Sequence, residues 1–99
     1  MIAITRTASI APGKTGDAMA YGHEIAKYIK EKHGATFEVL MPIGGNPARI
    51  AWHARLANLG EWEALTAKLM ADKQYMEIVS KQSSTFLPGS VRDHFWRTI

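Results

Sequence analysis

The residues best suited to chemistry in this 99-residue sequence are two histidines and an arginine in segments of alternating polarity. His53 and Arg55 share one parity of residues 48–56, and His94 lies on one parity of residues 90–98. A histidine titrates near neutral pH and can accept a substrate proton, while an arginine can stabilise the enolate that results. His53, His94 and Arg55 are therefore the candidate catalytic residues.

A wider polar set accompanies these three residues on the same parities. It consists of Glu38, His53, Arg55, Arg92, His94 and Trp96. A base, several cations and an aromatic ring would suit an anionic or enolisable aromatic ligand. The alternative is that the Arg and Glu side chains pair across an interface between two copies of the chain, as ion-pair networks do. The sequence leaves both interpretations open.

Three aromatic residues, Trp52, Trp96 and Tyr21, are the candidate ligand contacts. Tryptophan and tyrosine combine a large apolar ring with a polar group that can orient a ligand. Regularly spaced aromatic residues are, however, typical of a packed core. That alternative applies to most of the aromatic set, which also includes Trp62, Phe37, Phe95 and Tyr28.

Neither a metal site nor a nucleotide site is predicted. The chain has no cysteine, and its four histidines match no zinc-ligand spacing. Residues 8–15 fit a permissive form of the phosphate-binding loop, but the strict pattern requires glycine where Ala8 stands. Such a loop also needs a parallel sheet, whereas Gly44-Gly45-Asn46-Pro47 is typical of a turn between two antiparallel strands. No cofactor is expected.

Composition indicates one globular domain over residues 1–99. The hydrophobic share is 46% and the charged share 21%, both ordinary for soluble domains. The net charge of +3 is spread along the chain, so a nucleic-acid partner is not expected. Arg6 interrupts the first apolar run before it reaches signal-peptide length, and no run approaches a membrane span. These features predict a cytoplasmic protein without a membrane partner.

Periodicity predicts four strands at residues 2–10, 35–43, 48–56 and 90–98, and an amphipathic helix at residues 16–33. We expect Thr15 or Asp17 to cap that helix and Gly34 to end it. Asn58 and Glu61 resemble a capping box for a second helix, and Asp72 is expected to cap a short third one.

The order of these elements is strand, helix, strand, strand, helical region, strand. Right-handed crossovers then give an α+β, ferredoxin-like fold, with a four-stranded antiparallel sheet and both helical regions on one face. The other face carries apolar groups among its polar residues, and no segment is left to cover it. A homodimer formed by sheet-to-sheet packing is therefore predicted.

Several short motifs in the middle of the chain carry a family resemblance. They are Ile50-Ala-Trp52, Gly60-Glu-Trp62-Glu, Leu65, Leu69, Ala71-Asp72, Tyr75 and Val79, preceded by Pro12-Gly13. With these motifs the chain resembles the dimeric α/β-barrel superfamily, and within it the NIPSNAP-like and antibiotic-biosynthesis-monooxygenase-like domains. The resemblance implies a homodimer whose sheets form a barrel, with a ligand-sized pocket between sheet and helices in each subunit.

The resemblance leaves two functions open. One is a small NIPSNAP-like domain that binds an apolar or aromatic ligand without an assigned activity. The other is a cofactor-independent monooxygenase acting on an aromatic, polyketide-like substrate. A haem-degrading role is not expected, because relatives of that type use an Asn in the first strand and a His in the second helical region. Residues 2–10 contain no Asn and residues 61–83 contain no His.

Overall fold

The computed structural model describes residues 1–99 as a four-stranded antiparallel sheet with three helices. Its elements in chain order are β1 (Ile2–Ser9), α1 (Thr15–His33), β2 (Glu38–Leu40), β3 (Arg49–Leu56), α2 (Leu59–Met70), α3 (Lys73–Lys81) and β4 (Arg92–Arg97). The strand order is β2-β3-β1-β4. The predicted ferredoxin-like α+β fold is confirmed, with α2 and α3 together forming the second helical region. None of the three helices is long and apolar enough to cross a membrane.

The register of the central strand β1 defines two faces of the sheet. Arg6 pairs with Trp52 on β3 and with Asp93 on β4, whereas Thr5 pairs with His53 and His94 on the same two strands. Side chains alternate along a strand, so residues that pair across strands share a face. Arg6 and its partners therefore lie on the face that the helices cover, and Thr5 and its partners lie on the opposite face, called here the open face.

The core lies between the covered face and the helices. Ile4 and Ile50 are the largest completely buried side chains, with 1% and 0% of their surface exposed. From the helices, six buried aliphatic residues pack into this core: Ala18, Ile25, Ile29, Leu65, Leu69 and Ile78. Most of these positions belong to the apolar stripes that helical periodicity identifies in the sequence.

Gly22 brings α1 unusually close to the sheet. A Cβ atom at this position would lie 2.9 Å from Ile50 Cδ1 and 3.1 Å from Val39 Cγ1. The backbone oxygen of Gly22 also accepts a hydrogen bond from the Trp52 indole nitrogen at 3.3 Å. Gly22 therefore permits a close contact between α1 and the sheet, and a larger residue at this position would force the two apart.

The first helix begins differently from the prediction. Its N-cap residue is Lys14, no side chain caps it, and Thr15 is already helical, so the predicted cap at Thr15 or Asp17 was wrong. The Lys14 carbonyl oxygen accepts the first helical bond from Ala18 at 2.8 Å, which places the helix start one residue before the expected cap. The C-terminal prediction is confirmed, since Gly34 adopts the left-handed conformation with φ 75°.

The caps of the other two helices follow the prediction closely. Asn58 Oδ1 accepts a hydrogen bond from the Glu61 backbone N–H at 2.9 Å. The Glu61 carboxylate reaches back to the backbone N–H of Ala57 at 3.0 Å, one residue further than in the standard capping box. Asp72 caps α3 through the backbone N–H groups of its first turn.

The second strand is much shorter than the predicted segment 35–43. It pairs with β3 only from Glu38 to Leu40. Beyond that point the chain forms a loop, in which the Asn46 side chain accepts from the Ala48 N–H at 2.9 Å and the Asn46 carbonyl oxygen accepts from Arg49 Nε at 2.9 Å. Because these local bonds use the Ala48 N–H and the Asn46 carbonyl oxygen, the two strands stop pairing before the turn at Gly44 and Gly45.

Candidate functional site

A cavity of about 230 Å³ lies between the covered face of the sheet and the helices. Ten of its twelve lining residues are hydrophobic, and the two others are Arg6 and Thr66. An apolar cavity of about 150 Å³ accommodates benzene, and pockets for drug-sized ligands begin at about 300 Å³. The volume of this cavity therefore suits a molecule of one or two rings.

The aromatic wall of the cavity is held in place by the fold. Trp52 on β3 is fixed by its hydrogen bond to the Gly22 carbonyl oxygen, and its ring meets Tyr21 edge to face, with centroids 6.0 Å apart. Trp62 on α2 meets Phe95 on β4 in the same way at 5.8 Å. Edge-to-face pairs favour one ring orientation. The wall is thus shaped before any ligand enters.

An ion pair forms the polar end of the cavity. Arg6 Nε donates to Asp93 Oδ1 at 2.7 Å, and Arg6 Nη2 donates to Asp93 Oδ2 at 2.8 Å. These hydrogen bonds raise the pKa of the Arg6 guanidinium and lower the pKa of the Asp93 carboxyl, so both groups are charged at neutral pH. The guanidinium carbon also lies 5.9 Å from the Trp62 ring centroid, within the range of a cation–π contact.

Two phenols stand near Arg6 in the cavity lining. Burial raises the pKa of Tyr21 to about 12, with Tyr75 adding to the increase and Arg6 opposing it. Burial likewise raises the pKa of Tyr75, again against the effect of Arg6. Both hydroxyls therefore stay protonated and neutral at physiological pH. Arg6 is thus the only charged residue of the cavity lining, and its charge is paired with that of Asp93, which does not line the cavity.

The predicted ligand contacts are divided between the two faces of the sheet. Tyr21 and Trp52 line the cavity. Trp96 pairs with Ala3 on the open face and is 62% exposed. A ligand in the cavity would thus meet two of the three predicted aromatic contacts and would be separated from the third by the sheet.

The candidate catalytic residues His53, His94 and Arg55 all lie on the open face, opposite the cavity. β1 runs between the strands that carry the two histidines, so these are two strand spacings apart, about 10 Å. His53 Nδ1 instead lies 3.3 Å from Thr5 Oγ1. The structure does not bring the three residues together around the cavity, and their catalytic role stays a prediction.

Arg6 and Tyr75 line the cavity but were not singled out as site residues in the sequence. In the sequence, Arg6 is only a charged residue at a position of the first strand where the alternation predicts an apolar one. That charged residue was the available signal, since a charge on a covered face requires a partner. Asp93 lies on the matching parity of the last strand and could have been named as that partner. For Tyr75, helical periodicity gave no signal beyond packing.

A second polar cluster connects the end of α1 to the start of α3. Tyr28 Oη donates to Asp72 Oδ2 at 2.6 Å, and His33 Nε2 lies 2.9 Å from the same oxygen. Asp72 Oδ1 accepts from the backbone N–H groups of Gln74 and Tyr75. The hydrogen bonds from Tyr28 and then His33 lower the pKa of Asp72 to about 2. This cluster holds the first turn of α3, and with it the cavity residue Tyr75.

The lowered pKa of Asp72 makes a testable contribution to acid stability. Its pKa of about 2 in the folded state lies below the ordinary value of 3.8, so the unfolded state binds the proton more readily. The stabilisation is present above about pH 4 and is lost as the pH falls toward 2. In Asp72→Asn the free energy of unfolding should therefore change less between pH 5 and pH 2 than in the wild type.

Urea unfolding at a series of pH values measures this difference. Glu77→Gln, at an exposed position on α3 where the carboxylate has no ion pair, is the matched control and should keep the wild-type acid dependence. An Asp72→Asn variant that loses stability as steeply as the wild type between pH 5 and pH 2 would contradict the role assigned to Asp72.

No group of three or more His, Asp or Glu side chains in the structure is arranged to hold a metal ion.

Comparison with known proteins identifies the fold. No protein-family model and no curated protein matches the sequence. A NIPSNAP domain protein from Burkholderia xenovorans superposes with a TM-score of 0.85 at 15% identity, covering 100% of this chain and 95% of the other. A NIPSNAP family protein from Agrobacterium tumefaciens gives 0.84 at 15% identity, with 99% and 92% covered. A structure described as antibiotic biosynthesis monooxygenase gives 0.73 at 7% identity, with 100% and 99% covered.

These similarities span essentially the whole length of each chain. Because the sequence identities are only 7–15%, they show a shared fold and nothing more. The resemblance recognised in the sequence is thereby confirmed at that level. The chain has the ferredoxin-like α+β fold that NIPSNAP and antibiotic-biosynthesis-monooxygenase-like structures share.

Proposed function

We propose that this protein binds a small apolar or aromatic molecule in the cavity between its sheet and helices. The observation that carries the proposal is the cavity itself, about 230 Å³ in volume and lined by ten hydrophobic residues out of twelve. Protein interiors are close-packed, and the apolar side chains that line this partly open void lack packing partners on one side. A ligand that fills the void would recover the lost packing contacts, which supports binding as the reason for the cavity.

Ligand binding is favoured over cofactor-independent oxygenase activity by the position of the acid–base groups. An oxygenase of the kind predicted from the sequence needs a base beside the bound substrate. The two candidate bases, His53 and His94, lie on the other side of the sheet from the cavity. The groups near a ligand in the cavity are Arg6, which is already paired, and two protonated phenols.

The proposal includes a homodimer formed by the open faces of two sheets. Trp96 and Leu40 leave 62% and 42% of their surface exposed on this face of the single chain. Large apolar groups exposed on a sheet favour association with a complementary surface. A second copy of the chain would cover them without closing the cavity, because the cavity lies on the opposite side of the sheet.

Naphthalene is the simplest probe of the proposed function, since it is a two-ring aromatic without polar groups. We expect it to bind the wild-type protein with a Kd on the order of 0.1 mM, as its ten carbon atoms allow. Methyl NMR spectroscopy should show the strongest shifts at Ile4, Ile25 and Ile29, which line the cavity. The shifts at the fully exposed Ile43 should be negligible.

A cavity-filling variant tests the location of the binding site. Thr66→Phe introduces a ring from a lining position of α2 and should abolish naphthalene binding while the fold is retained. Ala67→Phe introduces the same ring at the next, exposed position and should bind as the wild type does. The proposal fails if naphthalene leaves the three lining methyl groups unshifted, or if Thr66→Phe binds it unchanged.

A further inference from the structure

The polar end of the cavity identifies the class of ligand more narrowly. We propose that the cavity selects neutral aromatic molecules that carry a hydrogen-bond-accepting oxygen, such as an aryl ketone, and that Arg6 donates to this oxygen. This inference rests on the proposed function, because it assumes that an aromatic ligand occupies the cavity.

Arg6 keeps unused donors on its guanidinium. The group has five N–H bonds, and the bonds to Asp93 occupy one on Nε and one on Nη2. Three N–H bonds remain, two of them on Nη1. Arg6 lines the cavity, and its guanidinium carbon lies 5.9 Å from the ring centroid of the lining residue Trp62, so the guanidinium group lies at the cavity wall. A ligand without an acceptor would displace water from them without replacing its hydrogen bonds, which reduces affinity.

The charge balance of the cavity argues for a neutral ligand. Arg6 and Asp93 cancel each other within a bidentate pair, and the nearby phenols of Tyr21 and Tyr75 are uncharged at neutral pH. A carboxylate ligand would bring a negative charge into an apolar site whose single cation is already neutralised, and it would also be repelled by Asp93. A carbonyl oxygen can accept the same hydrogen bonds without this cost.

Three probes that share the naphthalene ring system, two of them with substituents of equal size, separate these terms. Naphthalene measures the apolar contribution, 2-acetylnaphthalene adds a neutral acceptor, and 2-naphthoate adds a charged one. In the wild-type protein we expect 2-acetylnaphthalene to bind at least about 10-fold more tightly than naphthalene, because a hydrogen bond to a charged donor contributes an effect of this size. We expect 2-naphthoate to bind more weakly than the ketone. Calorimetry gives the affinities, and the methyl shifts of Ile25 and Ile29 report the location.

Two variants assign the effect to the ion pair. Arg6→Met should remove the advantage of the ketone, so that the ratio of the naphthalene Kd to the 2-acetylnaphthalene Kd falls to about 1. Asp93→Asn should keep the guanidinium, remove its counter-charge, and reverse the preference in favour of 2-naphthoate. The second variant also tests the inference if Arg6→Met does not fold, because it retains the cation and a polar partner at position 93.

The outcomes distinguish this inference from the proposed function. If naphthalene does not enter the wild-type cavity, the proposed function fails and the inference fails with it. If naphthalene binds but the ketone shows no advantage, only the inference is overturned. An advantage that persists in Arg6→Met, or a wild-type protein that prefers 2-naphthoate, would overturn it as well.

Discussion

Replacing Ile50 with alanine is expected to lower the free energy of unfolding by about 2–5 kcal/mol, the usual cost of deleting a fully buried isoleucine side chain. Ile50 has no exposed surface and is the second residue of β3, on the covered face. Its Cδ1 atom is also the group that α1 approaches most closely at Gly22. Truncation would therefore leave a void at the contact between helix and sheet.

The matched control for this substitution is Ile43→Ala. Ile43 is fully exposed in the loop between β2 and β3, so the same chemical change should alter the free energy of unfolding by less than about 0.5 kcal/mol. Both variants should be unfolded in urea at the same protein concentration, because association would couple stability to concentration. A loss below about 1 kcal/mol in Ile50→Ala would contradict the packing described for α1.

The second large effect is expected at the open face. Thr5→Arg should weaken the proposed homodimer at least 100-fold, because it places a long, charged side chain at the centre of the face. Thr5 lies on the central strand between His53 and His94, with Glu38 at the end of the same row. The two sheets cannot pack closely over an arginine at that position.

The polar side chains of this row also indicate how two copies would meet. From β2 to β4 the row reads Glu38, His53, Thr5 and His94. A two-fold axis that runs along the strands reverses the row, so Glu38 would face the partner's His94. An axis across the strands would instead oppose like residues, including two glutamates, which is unfavourable. The first arrangement is the one that we propose.

Light scattering on a size-exclusion column measures how much Thr5→Arg weakens the dimer. The wild-type protein should elute at twice the 11.0 kDa mass of the chain, and Thr5→Arg should shift toward the monomer on dilution. Ala67→Arg adds the same side chain to the exposed surface of α2 and should leave the wild-type mass unchanged. A wild-type protein that remains an 11 kDa monomer at high concentration would contradict the proposed dimer.

Local patterns were sufficient to predict the order of the elements. Alternation identified all four strands, helical periodicity identified α1, and the side chains of Asn58 and Asp72 marked the starts of α2 and α3. These signals depend on neighbouring residues alone, so they are readable without the fold. The predicted cap of α1 was wrong because the turn at Pro12 and Gly13, closed by the hydrogen bond from the Lys14 N–H to the Ala11 carbonyl oxygen, makes Lys14 the N-cap residue.

The candidate site was harder to predict because it depends on contacts between distant segments. Arg6 and Asp93 are 87 positions apart, and their pairing follows only from the register of β1 against β4. Parity correctly grouped His53, Arg55 and His94 on one face of the sheet, but it does not show which face the helices cover. The residues that looked most like a reactive set in the sequence therefore lie opposite the cavity.

The most direct test of ligand binding in the cavity is a crystal structure of the protein soaked with naphthalene. The expected result is electron density for the two rings between Trp52 and Trp62, in contact with the lining residues Ile25 and Ile29. Density for naphthalene on the open face, or a cavity without naphthalene at saturating concentration in intact crystals, would contradict the account.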